Sequence, residues 1–293
     1  MEKSKVYFTN EISPCSLIKM YDVLGKNLSG NVAVKISTGE KGNNNYLNPN
    51  LIKDLVSYVS GTITECNTAY AGYRNSTSVH METIREHGFL DIAKVDIMDS
   101  DGDFAIPVSN GFHLDKNYVG NHLKNYDSML MLSHFKGHPM GGFGGALKNM
   151  SIGVASSSGK AYIHTAGKSR DVDALWENIC SQDFFLESMA DADSSVVNYM
   201  NGNIVYINVI NNLSVDCDCV ASPEDICMHD IGVLSSTDPV ALDRACVDLI
   251  YNSSDFGKVH MIERIERQNG TYILEAASKL GIGSQDYDFI NMD

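Results

Sequence analysis

Two hydrophobic periods alternate along this chain. Short apolar runs bounded by turn residues predict strands at residues 5–8, 31–36, 62–65, 129–132, 204–209 and 231–234. Between them, apolar residues recur at helical spacing. Leu17, Ile18, Met20, Tyr21 and Leu24 mark a helix over 14–24 stopped by Gly25, and Leu51, Ile52, Leu55, Val56 and Val59 mark another begun by Pro49. Residues 76–87 predict a third, closed by Gly88. In the second half, Val172, Leu175, Trp176 and Ile179 give 171–180 an amphipathic face, and the helical pattern continues through Phe184, Phe185, Met189, Val196, Val197 and Met200 as core. Asp238 is placed to cap a helix with Pro239 in its first turn, and a last helix over 272–280 stops at Gly281. Residues 92–98 and 104–108 predict a hairpin across the acidic turn 99–103, where Gly102 supplies the bend. A serine-rich link at 156–159 and a short acidic tail at 284–293 complete the pattern.

Strands alternating with helices predict an α/β protein, a mainly parallel sheet flanked by helices. The chain reads as one domain over 1–293; if it divides, the lobes fall at about 1–125 and 126–293 with the site between them. In such sheets ligands gather beyond the carboxyl ends of the strands. Polar clusters follow predicted strands at 37–45, 67–74, 133–138, 208–219 and 237–238, which predicts one shared site. Gly39, Glu40, Asn44, Asn67 and Arg74 are its ligand-binding candidates from the first half. His80 and His87 share a helix face without a third ligand and read as surface residues.

The stretch SMLMLSHFKGHPMGGFGGALKN, residues 128–149, concentrates the chemistry. An apolar run is followed by Ser133, His134, Lys136 and His138, then by a flexible loop with Gly141, Gly142, Gly144 and Gly145, and then by a helix start through Lys148 and Asn149. Glycine-rich turns and helix N-termini present unpaired N–H groups that favour anions. The stretch matches neither GxxxxGK[ST] nor GxGxxG, so it carries no nucleotide fingerprint. It predicts a small anionic ligand, with His134, Lys136, His138 and Lys148 as catalytic candidates.

The formal net charge of −15 argues against nucleic acid or an anionic membrane as partner. Lys136 with Lys148 would form a local basic pocket inside that acidic shell. No signal-peptide core opens the sequence and no apolar run approaches a membrane span, so cytoplasmic residence is expected. The seven cysteines then read as thiols or ligands, not as a disulfide framework, and no C-x-x-C occurs. In extended chain, Cys217 and Cys219 would point to one side and Asp216 and Asp218 to the other. With Cys227 and His229 they make a candidate Cys₃His site for a single zinc or iron ion, although C-x-C…C-x-H is not a usual structural zinc spacing. A thiolate pair acting without metal is the alternative.

Several segments read together as a family. VAVKISTGEKGNNNYL, TECNTAYAGYR, LSHFKGHPMGGFGGALKN, YINVINNLSVDCDC and DIGVLSSTDPVALDRACVDL resemble the bacterial and archaeal uncharacterised iron–sulfur centre proteins, domain of unknown function 362, over roughly residues 30–250. Many members of that family carry a ferredoxin-like insert after the counterpart of His164, with two C-x-x-C-x-x-C-x-x-x-C-P runs. Here residues 165–184 contain only Cys180, so the resemblance implies a host domain without ferredoxin-type [4Fe–4S] clusters. His164 joins the ligand-binding candidates on the same ground, and Cys227 and His229 fall where the family is expected to vary. The resemblance implies redox chemistry on a small anionic molecule, an oxidoreductase served by a separate electron-donor protein. The alternatives are a metal-dependent isomerase, lyase or hydrolase without electron transfer, and a non-catalytic metal- or cofactor-binding protein.

Overall fold

In the computed structural model, which describes residues 3–293, the apolar run of the central stretch becomes a strand buried at every position, with the sheet laid out around it. In chain order the elements are β1 (Ser4–Thr9), α1 (Pro14–Asp22), β2 (Val32–Lys35), α2 (Pro49–Tyr58), β3 (Gly61–Glu65), α3 (Thr77–Glu86), β4 (Val95–Ile97), β5 (Asp103–Pro107), β6 (Lys116–Gly120) and β7 (Ser128–His134). They continue as β8 (Lys136–His138), β9 (Gly142–Gly144), α4 (Ala146–Val154), α5 (Ser157–His164), α6 (Gln182–Tyr199), β10 (Ile204–Ile210), β11 (Gly232–Ser236), α7 (Pro239–Asn252), α8 (Lys258–Arg267), α9 (Tyr272–Lys279) and β12 (Tyr287–Asn291).

Eight strands form one sheet in the order β12-β1-β11-β10-β7-β2-β3-β4. Every neighbouring pair is parallel except the two that involve β11, so the α/β, mainly parallel expectation holds. Strand alternation splits the buried side chains between two layers. Val32, Val34, Leu130, Leu132, Val205 and Ile207 pack with Leu17, Ile52, Leu55 and Ile84 from α1–α3. Ala33, Met129, Met131, Tyr206 and Leu234 face the opposite layer, built from α4, α6, α7 and α9. No helix among the described residues is long and apolar enough to cross a membrane.

Several local expectations are corrected. Residues 92–98 and 104–108 do not form a hairpin: β4 joins the sheet edge parallel to β3, and β5 pairs antiparallel with β6. Residues 171–180 are turns, not a helix. Asp171 N–H donates to Ser169 Oγ and Asp173 N–H to the Asp171 carboxylate, local bonds that compete with a helical ladder. Leu175 alone of that apolar face is fully buried, while Trp176 and Ile179 are exposed. The serine-rich link is the start of α5, with Ser156 as N-cap, and the acidic tail pairs as β12 beside β1. The glycine loop is the ordered β8–β9 hairpin. His80 is fully buried between Asn67 and Thr38, and His87 is half-buried, stacked on Tyr46.

The start of α4 differs in a way that bears on function. Its Ala146 and Leu147 N–H groups donate to the Asp243 carboxylate at 2.8 and 2.9 Å, and the Asn208 amide donates to the same group at 2.7 Å. The protein's own anion therefore fills the helix end expected to hold a ligand. Gly145 is required there, since a Cβ would lie 2.3 Å from Asp243 Oδ1. Burial pushes the Asp243 carboxyl up to about 6. Asp243→Ala strands these donors in the core, so we expect a loss of about 2 kcal/mol or more in unfolding free energy. It should be read as a lower urea midpoint at unchanged slope.

Candidate active site

The carboxyl ends of β2, β3, β7 and β10 share one rim, and the loops leaving them meet there. Asp218, in the loop after β10, is almost fully buried. Its Oδ1 accepts from His134 Nδ1 and its Oδ2 from Lys136 Nζ, both at 2.7 Å. His134 Nε2 faces the Asn211 carbonyl at 2.6 Å, so both ring nitrogens point at oxygen acceptors. Burial would raise the Asp218 carboxyl, but His134 and Lys136 beside it hold it well below the usual carboxylate range. The clamp ties the 211–220 loop to β7 and β8. Gly137 permits the approach: its N–H donates to the Ser214 carbonyl at 2.9 Å, and a Cβ there would sit 2.2 Å from the Val215 carbonyl oxygen.

Beyond Asp218 the chain turns instead of extending, with the Val220 N–H donating to the Cys217 carbonyl at 3.0 Å. The turn brings the Cys217 and Cys219 Cα atoms to 5.2 Å, and their sulfurs form a disulfide. This corrects the expectation that all seven cysteines are thiols or ligands; the other five are free. Asp216 and Asp218 diverge, Asp216 pairing with Arg264 at 3.0 Å. A ring nitrogen of His138 and the sulfurs of Cys217 and Cys219 lie within 4.8 Å of one another. Cys227 is outside that group, its Sγ directed at the Leu213 carbonyl, and so is the exposed His229.

A cavity of about 590 Å³ opens beside this loop. Its polar wall holds Lys35, Glu65, Arg74, His138, Lys148 and Lys160, with His164 and Cys219, and its apolar wall holds Met140, Ile152, Leu175 and Trp176. Lys35 Nζ donates to Glu65 at 2.8 Å and to Asn149 Oδ1 at 3.2 Å, while Arg74 pairs with Glu40 at 3.3 Å and Glu65 at 3.6 Å. Burial would raise the Glu65 carboxyl, but Lys35 and Arg74 hold it down at about 2. Lys148 has no carboxylate partner or side-chain hydrogen bond among the described residues. Burial, with Lys136, Arg74 and Lys35 nearby, lowers it to about 7. Burial also lowers Lys160, whose Nζ donates only to the Ala155 carbonyl, at 2.6 Å. His138 is held well below the usual imidazole range by burial and by Lys148 and Lys136, and His164 sits at about 4, again chiefly by burial.

The other candidates are dispersed. Asn149 donates to the Lys35 and Leu132 carbonyls and to Ser133 Oγ, bracing the cavity floor. Glu40 reaches the site through Arg74 and through its backbone N–H, which donates to the Asp218 carbonyl at 2.7 Å, and Gly39 packs against Tyr46. Asn67 is taken up by Thr77 and His80, and exposed Asn44 lines a separate small cavity. Gly142 packs against Gly270; Gly144 lies beside the Lys136 and Lys148 stems, and Gly141 supplies an N–H to His138. The polar cluster at 237–238 lies at the opposite rim, because β11 runs antiparallel to β10. Sequence reasoning missed Lys35, Glu65 and Lys160; a charged residue inside a buried strand, as in VAVKI and TITE, was the available signal for the first two.

The chain belongs to the family described as domain of unknown function (DUF362), whose model matches residues 32–248. Among solved structures it is similar to a lactate racemase apoprotein from Thermoanaerobacterium thermosaccharolyticum, at 11% identity and TM-score 0.41 over 71% of this chain and 51% of that one. It is also similar to a protein from Thermotoga maritima, at 12% identity and TM-score 0.44 over 91% of this chain and 58% of that one. The chain thus spans between half and three fifths of those proteins. No curated protein sequence matches it.

The two depressed carboxylates set the acid response. A carboxyl lowered on folding contributes stability that is present above its unfolded value, and that is lost as pH falls toward its folded value. Glu65 and Asp218 both have this sign. Urea stability should therefore fall steeply between about pH 4.5 and pH 2. Glu65→Gln should flatten that limb while lowering stability at neutral pH.

Proposed function

We propose that this protein is an enzyme that binds a small anionic molecule in the cavity beside the Cys217–Cys219 loop, with Lys148 as its reactive amine. The observation that carries the reading is Lys148 itself: an amine lining the cavity among other cations, with no carboxylate in salt-bridge contact among the described residues. A bound carboxylate or phosphate supplies the missing charge. With its value near 7, part of the Lys148 population is a free amine at neutral pH, fit to take a proton or attack a carbonyl. The cysteine pair stands at the cavity wall as a two-electron couple, which favours redox chemistry served by a separate donor protein. Binding of short carboxylates and phosphate monoesters, followed by calorimetry, tests the reading. Wild type should bind at least one of these ligands, Lys148→Met should weaken that ligand by tenfold or more, and a protein that binds none of them overturns the proposal.

A second reading, a metal-dependent enzyme without electron transfer, draws on the same sulfurs once reduced, with the His138 ring close by. Against it, His138 Nδ1 accepts backbone N–H groups, which leaves a proton and not a lone pair on Nε2. Thiol titration of the denatured protein should count five thiols before reduction and seven after it. Stoichiometric zinc or iron in the reduced protein would favour the metal reading instead.

A further inference from the structure

The β8–β9 turn fixes the proton on one imidazole of the cavity. His138 Nδ1 accepts from the Gly141 N–H at 2.8 Å and the Met140 N–H at 3.2 Å. A neutral ring carries one proton, so Nε2–H is the only donor that His138 offers. The same two backbone donors relieve charge that accumulates on the ring when Nε2–H binds an anionic oxygen. A neutral imidazole held this way acts as an electrophile toward a carbonyl. His164 is the opposite case. Its Nδ1 donates to the Lys160 carbonyl at 2.7 Å, its ring packs on Phe185, and burial leaves its bare Nε2 a feeble base.

Of the charged groups that lower His138, Lys148 weighs most, ahead of Lys136, and it lines the same cavity. The cavity thus brings together a carbonyl-polarising donor, an unpartnered amine and surplus positive charge at Lys160. Its other wall, with Met140, Ile152, Leu175 and Trp176, suits a short apolar side chain.

We propose that this cavity enolises a small 2-oxo acid, with Lys148 as the base and His138 as the group that polarises the carbonyl. The proposal rests on the reading of the cavity as an anion site with Lys148 as its amine. The C3–H bond breaks and its proton passes to the Lys148 lone pair. The electron pair forms C2=C3, and the carbonyl π pair moves to the oxygen, which takes the hydrogen bond from His138 Nε2–H. Reversal returns a proton from the Lys148 ammonium to C3. No oxidant or reductant enters, and the Cys217–Cys219 pair takes no part in this step.

The test follows 2-oxobutanoate in D₂O by proton NMR, with the same compound titrated by calorimetry. The C3 proton signal should fade at least tenfold faster with wild-type protein than in buffer alone, and Lys148→Met and His138→Gln should each return it to the buffer rate. Binding without exchange overturns enolisation and leaves the anion site standing. Absence of both overturns enolisation, and the anion site falls with it only when the other short carboxylates and the phosphate monoesters fail to bind as well. Exchange that survives Lys148→Met overturns the assignment of the base. Nitrogen-15 imidazole spectra of the unliganded wild type should show His138 as the Nε2–H tautomer, and an Nδ1–H ring overturns its role even if the variants fail to fold.

Discussion

The buried carboxylate of Asp218 is the point from which the site hangs. It is the only counter-charge in salt-bridge contact with Lys136 among the described residues, and it holds His134 through the same head group. Such a pair is expensive to desolvate, and its net worth to stability is small; removing one partner, however, strands a buried charge at about 3–5 kcal/mol. What the clamp provides is registry. It joins the end of β7 and the start of β8 to a loop with no regular structure of its own, so that the Cys217–Cys219 turn rests against His138. His134 is a positioning residue in this arrangement, since both of its nitrogens are committed to the loop.

Charge balance then separates structure from chemistry within the cavity. Lys35, Arg74, Glu65 and Glu40 neutralise one another, and Lys136 is answered by Asp218. Lys148 and Lys160 are left over. A positive surplus inside a folded protein persists only where a ligand, a shifted protonation equilibrium or both offset it. The helix end that the glycines suggested as an anion seat is not where the imbalance lies, because Asp243 already fills it. The anion site proposed here would be made by side chains, not by bare backbone.

Much of the architecture was legible in the sequence because buried parallel strands write themselves as apolar runs. Residues 31–36, 129–132 and 204–209 fall within a residue or two of β2, β7 and β10. The polar clusters after these strands did mark the shared rim, and the histidine loop and the C-x-C segment do converge. What failed was long-range or local to side chains. Nothing in the VDIMDSDGDFAIP run says that β4 pairs with β3 while β5 finds β6. The 171–180 periodicity was genuine, but Ser169 and Asp171 had bonds to offer the backbone that a hydropathy pattern does not record. Lys35 was hidden by its own strand, for its alternation matched the core while its charge needed Glu65, thirty residues on.

The reversal of β11 explains why one sequence signal pointed to the wrong end. A strand antiparallel to its neighbours sends its carboxyl end to their amino rim, so the polar residues after it cannot join the others. Asp238 is used there for assembly. Its Oδ1 caps α7 through the Val240 and Ala241 N–H groups, while Oδ2 accepts from Ser4 Oγ and the Ser284 N–H, binding both ends of the chain to one helix start. The two rims are thus specialised by strand direction alone. One spends its polar residues on closing the fold, and the other leaves Lys148 and Lys160 over a cavity without a carboxylate in salt-bridge contact among the described residues.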